Sequence, residues 1–93
     1  MAANLFGAPS ETIAATSTTV STALAGNVNR CGGMIVNRDA AIGIQISLTD
    51  DTANTEFFVL AAGGVFSLAG YQGPVYAKAV SGTPSLYCLE LIG

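Results

Sequence analysis

The stretch from Glu56 to Ser81, read with one neighbour on each side as TEFFVLAAGGVFSLAGYQGPVYAKAVSG, decides the fold class. Three short apolar runs, residues 57–62, 65–69 and 75–80, are separated by Gly63-Gly64 and by Gly70-Tyr71-Gln72-Gly73-Pro74. Runs of this length, rich in aromatic and β-branched residues and punctuated by Gly and Pro, predict consecutive strands joined by tight turns. Glycine supplies the positive φ such turns often need, and Pro74 sets φ where a strand begins.

Working outward, the same grammar continues in both directions. Residues 40–49 (AAIGIQISLT) carry a clean alternation. Ile42, Ile44, Ile46 and Leu48 lie on one face, and Gly43, Gln45, Ser47 and Thr49 on the other. That is a strand with one face in a core and one in water. Residues 30–37 (RCGGMIVN) predict another strand, with a bulge at Gly32-Gly33. Residues 85–92 (SLYCLELI) are apolar on both faces except at Glu90, which places this closing strand inside a sheet or against a partner. Residues 12–25 (TIAATSTTVSTALA) are dense in Thr, Ser and Val, and read as one extended strand, at an edge or pairing between chains. Residues 50–54 (DDTAN) read as a polar hairpin loop. About seven or eight strands with turns every 8–12 residues predict an all-β fold, a small β-sandwich of jelly-roll-like or immunoglobulin-like form. Residues 12–93 form that domain. Residues 1–11 (MAANLFGAPSE) precede it as an extended N-terminal arm, either a plain chain end or an arm that inserts Leu5 and Phe6 into a neighbour.

Composition limits what such a domain can do. The 93 residues are 51% hydrophobic and only 10% charged, with a mean hydropathy of +0.54. A chain this short buries about 60–65% of its unfolded surface, so much of its apolar area needs another chain to cover it. An oligomer, or a component of a larger assembly, is the expected state. The net charge is −3, with Arg30, Arg38 and Lys78 as the whole cationic complement. Three dispersed cations cannot neutralise a run of phosphates or an anionic bilayer, so neither nucleic acid nor membrane is an expected partner. No apolar run approaches the roughly 20 residues of a membrane-spanning helix. No Lys or Arg precedes the faintly signal-like residues 22–26, so synthesis in the cytosol without export by that route is expected.

Chemistry is correspondingly scarce. With no histidine, a Ser-His or Cys-His nucleophile has no base, and no catalytic residue is assigned. Asp50, Asp51 and Asn54 could offer oxygen ligands to Ca²⁺, but a turn explains them as well, and neither metal nor cofactor is expected. The Gly63-Gly64 and Gly70-x-x-Gly73 pairs lack the Lys-Ser/Thr of a phosphate loop. Tyr71, Tyr76, Tyr87, Phe57, Phe58 and Phe66 have no basic neighbours for base stacking, and read as core or interface aromatics. Cys31 and Cys88 lack metal-ligand spacing, and read as two free, mostly buried thiols rather than a bridge. Arg30 and Glu90, in a chain with so few charges, either pair across the sheet, pair across a subunit boundary, or stand apart in solvent.

Several of these features together resemble a group of small structural proteins of tailed bacteriophages. They are Arg30 before a short strand ending in Asn37, the Ile42–Leu48 strand, and the apolar run through the Gly-Gly turn to Phe66. Gly73-Pro74-Val75-Tyr76-Ala77, Ser81-Gly82-Thr83 and a last strand carrying Glu90 complete the set, behind a Thr/Ser-rich leader. The resemblance implies a capsid decoration, or cement, protein without enzymatic activity, located on the virion surface as a homo-oligomer, trimer or dimer, and bracing contacts between subunits of the major capsid protein. Leu5 and Phe6 would then anchor an arm by strand addition, and Tyr71 and Tyr76 would offer further contacts along with Arg30 and Glu90. The alternative is a receptor- or glycan-binding module of a tail or fibre, using Tyr71, Tyr76, Asp50 and Asp51, or a structural component of the neck or tail.

Overall fold

The computed structural model describes residues 8–49 and 57–93. Its eight strands are β1 (Ala8–Ala15), β2 (Ser21–Leu24), β3 (Arg30–Asn37), β4 (Ile44–Ser47), β5 (Phe58–Leu60), β6 (Val65–Ser67), β7 (Val75–Ala79) and β8 (Ser85–Ile92). Two four-stranded antiparallel sheets form, in the orders β1-β8-β3-β6 and β2-β7-β4-β5. The pairs nest: β1 with β8, β2 with β7, β3 with β6 and β4 with β5. A long antiparallel ribbon folded at its middle and rolled over a core has this order, which is that of a jelly roll.

The core lies between the sheets. Ile35, Leu86 and Cys88 from the first sheet meet Ala23, Leu24, Ile44, Ile46, Leu60, Val75 and Ala77 from the second, joined by Leu68. The alternation of residues 44–46 puts Ile44 and Ile46 inside and leaves Gln45 half-buried on the other face, as its period requires. Where the sandwich would gape between the two edge strands β5 and β6, the Phe58 and Phe66 rings close it, with centroids 5.0 Å apart. An aromatic pair at this distance stabilises by about 1 kcal/mol beyond its area.

Several readings change against the structure. Residues 12–25 are not one strand. β1 ends at Ala15, and the buried Thr16 is held to the Pro84 carbonyl through both its amide and its hydroxyl. Ser17 then accepts the Ala79 amide at 2.7 Å on the other sheet, so the chain changes layers inside a run that looked continuous. The arm boundary also moves, because residues 8–11 are already paired with β8. Leu5 and Phe6 lie outside the described residues. The predicted strand 40–49 is shorter, because Asp39 Oδ1 accepts the amides of Ala41 and Ile42 and holds them in a turn. The same two donors keep the Asp39 carboxyl below its usual pKa. Ser47, read as a wet position, is buried and spends its hydroxyl on Thr49.

The tight turns of the opening stretch exist, but join strands that do not pair with each other. Ala61 O accepts Gly64 N at 2.8 Å, and Leu68 O accepts Tyr71 N at 2.8 Å. Each turn carries the chain from one sheet to the other, and among the described strands only β4 to β5 stays within a sheet. The bulge at Gly32-Gly33 is present as a register shift between Arg30 and Gly32. Gly33 has φ +147°, and any Cβ there would collide with the Leu89 carbonyl, so only glycine fits. Cys88 is a free thiol that faces the core opposite Ile35, whereas Cys31 is exposed rather than buried at the start of β3, with its Sγ 3.2 Å from the Leu91 carbonyl oxygen.

Candidate functional site

Two sets of residues stand out, and they behave in opposite ways. The first is a polar knot at the end of the sandwich where β3 begins. Arg30 is fully buried. Its Nε donates to Glu90 Oε1 at 2.7 Å, and Nη2 lies 2.7 Å from the same oxygen. Nη1 donates to the carbonyls of Gly73 at 2.8 Å and Tyr71 at 3.1 Å, and Nη2 to that of Ala25 at 2.6 Å. One guanidinium therefore ties β8, the end of β2 and the loop before β7. Tyr71 is half-buried against the core, with its hydroxyl 2.7 Å from Pro74 O and 3.0 Å from Leu48 O. At the opposite end of β3, the buried Asn37 amide donates to Ile42 O at 2.8 Å and Leu60 O at 2.9 Å. No buried side-chain nitrogen or oxygen among the described residues lacks a partner. These groups are satisfied within the chain and hold its loops in place.

Arg30 and Glu90 thus come together inside the subunit and are not surface contacts. Tyr71 has its hydroxyl committed to two main-chain carbonyls. Tyr76 sits apart from them, half-buried on β7 opposite Thr22. Asp50 and Asp51 lie outside the described residues, and among those described no group of three potential ligands could hold a metal.

The second set is the outward face of the β1-β8-β3-β6 sheet. Because Leu86, Cys88, Ile35 and Asn37 point inward, their neighbours Tyr87, Leu89, Met34 and Val36 point out. The register then aligns them in rows. Ile13, Tyr87, Val36 and Val65 form one row across all four strands, and Glu11, Leu89, Met34 and Ser67 the next. Pro9, Leu91 and Gly32 continue the surface. Ile13 and Val65, on the edge strands, are 54% and 58% exposed. The only polar side chains in these rows are Glu11 and Ser67 at opposite edges, and the Tyr87 hydroxyl. An antiparallel sheet with a wet outer face normally alternates apolar and polar residues, and one that is apolar on both faces is normally covered on both.

Two charged side chains, Arg38 and Glu11, reach this face at Tyr87. The Arg38 guanidinium lies 5.8 Å from the Tyr87 ring centroid. Burial, followed by the Glu11 carboxylate, pushes the Tyr87 phenol above its usual pKa. A cleft of about 430 Å³, lined by Ile13, Arg38, Asp39, Thr83, Pro84 and Ser85, opens beside the first row. The other sheet presents a different outer face: Gln45 and Lys78 are paired opposite each other, with Val59 beside Gln45. Lys78 lies 5.2 Å from the Phe57 ring centroid and covers it.

Most residues of the apolar face were not singled out from sequence. The signal was there in residues 85–92, apolar at both alternations, and equally in Met34-Ile35-Val36. What was missing was the knowledge that these two runs are neighbours. Comparison with family models, with curated proteins and with solved structures finds no match to this chain.

Proposed function

We propose that the chain is a structural virion protein, a capsid decoration or cement protein that binds the outer shell and stabilises contacts between major capsid subunits. The observation that carries this reading is the apolar outer face of the β1-β8-β3-β6 sheet on a chain with few charges. Such a surface works by being covered, and in a many-copy assembly neighbouring copies of the chain can cover it. The phage-protein resemblance set out above supplies the class, and a jelly roll is compatible with it, although that fold serves many functions. In this reading the chain acts as a brace and has no substrate. Each copy makes modest contacts, and repeated copies around a shell gain strength by avidity. The arm carrying Leu5 and Phe6 would add a strand-like tether to the shell.

The test is quantitative mass analysis of purified particles. The decoration reading expects copies on the order of hundreds per particle, because shell sites repeat with the capsid lattice. A dozen or fewer would move the chain to the neck, tail or fibre, and absence from the particle would end the virion reading.

A further inference from the structure

We propose that the outer face of the β1-β8-β3-β6 sheet packs against the same face of a second copy of this chain, about a two-fold axis running nearly along β8 and β3. This names a surface for the association that the composition leads one to expect, and it stands whether or not the chain sits on a capsid.

The pattern of the face selects this occupant. A two-fold axis parallel to the strands, lying between β8 and β3, exchanges the β1 edge with the β6 edge. Ile13 then meets Val65 of the other copy, Tyr87 meets Val36, and Leu89 meets Met34, each pair apolar and each made twice, following the rows of the sheet. The row with polar ends is equally well matched: Glu11 falls opposite Ser67, whose hydroxyl can donate to the carboxylate. Neither copy places Glu11 against Glu11. Met34, Val36 and Leu89 make the centre of the contact apolar, with Glu11 and Ser67 at the rim and the Arg38 guanidinium reaching in over the Tyr87 ring, close to the usual anatomy of a protein interface. A strongly charged or hydroxyl-rich partner would find few groups to bond on this face.

The size is adequate. Strands about 4.8 Å apart and rising about 3.3 Å per residue give this sheet roughly 430 Å² in projection. Side-chain relief brings two such faces to about 1,000 Å² of accessible surface removed, the lower limit for a specific interface. Sheets stacked face to face pack about 10 Å apart with strands nearly aligned, which a two-fold axis along the strands permits.

The experiment is sedimentation velocity on the full chain over a wide concentration range, with two variants, Leu89→Lys and Met34→Glu, whose fold is checked by circular dichroism. The wild type should dimerise. Each variant alone should associate at least about ten-fold more weakly, because its new charge meets a methionine or leucine. Mixing the two should restore a dimer, since the new ammonium and carboxylate face each other across the axis. If either central variant fails to fold, Ile13→Lys and Val65→Glu make the same complementary test at more exposed positions. Gln45→Lys, on the other sheet, should leave association unchanged. A wild type monomeric throughout, variants that dimerise as the wild type does, or a mixture that restores nothing would overturn the proposal. Particle copy number bears on the capsid reading alone, so the two can fail separately.

Discussion

The polar knot around Arg30 and the outer face of its own sheet lie on the same two strands, β3 and β8, yet they use their side chains in opposite ways. Arg30 and Glu90 turn inward and are satisfied by each other and by three loop carbonyls. Met34, Val36, Tyr87 and Leu89 turn outward, and apart from the Arg38 guanidinium over the Tyr87 ring they are left as an apolar face. Groups whose interactions are completed inside the chain contribute to folding. Groups left apolar and uncovered contribute when something covers them. Damage to the first set should therefore appear as lost stability, and damage to the second as lost association.

The largest effect is expected at Arg30→Met. It leaves a buried carboxylate and three carbonyls without their donor, a loss of about 3–5 kcal/mol by urea denaturation. A loss below about 1 kcal/mol would show that water enters and replaces the guanidinium, and the knot would cease to be a folding element. Next comes Asn37→Ala, which strips the donor from Ile42 O and Leu60 O. About 2 kcal/mol should go, again with no separate effect on association among the molecules still folded. Tyr71→Phe keeps the ring in place and removes one hydroxyl, for about 1 kcal/mol. A large change in oligomeric state with no change in stability would instead return Tyr71 to the role of a surface contact.

The smallest effect concerns the two thiols, which sample both sides of this contrast. Burial pushes the Cys88 thiol up to about 11, whereas Cys31 is exposed. In the native protein near pH 8, a thiol reagent should label one cysteine quickly and the other only as fast as the fold opens. A raised thiol pKa favours the folded state while the thiol is neutral. That contribution is complete below the unfolded value near 9.0 and is lost as pH rises towards about 11. Equal labelling rates would mean that the core around Cys88 is not closed.

The individual strands were largely legible, and their partners were not. Residues 30–37 and 85–92 coincide with β3 and β8, and the paired glycines marked the bulge between Arg30 and Gly32. Alternation around Ile44 and Ile46 correctly identified a core face. Residues 12–25 misled because a Thr- and Ser-rich run has the same local propensity in a strand and in an extended crossing. What distinguishes them is long-range bonding, from Thr16 to Pro84, 68 positions away, and from the Ala79 amide to Ser17 on the other sheet. Asp39 misled in the other direction, since its side chain competes for the amides that a longer β4 would have used.

Sequence alone determined that this chain is all-β, poor in charge and greasier than a small lone domain needs, because period, turn residues and composition are local properties. Tertiary structure decided that the opening stretch turns between sheets, that Arg30 meets Glu90 inside the subunit, and that apolar runs more than 40 residues apart share one outward face. Pairing across such distances is set by which rolled arrangement buries Ile35, Ile44, Ile46, Leu86 and Cys88 together, and no local pattern contains that choice.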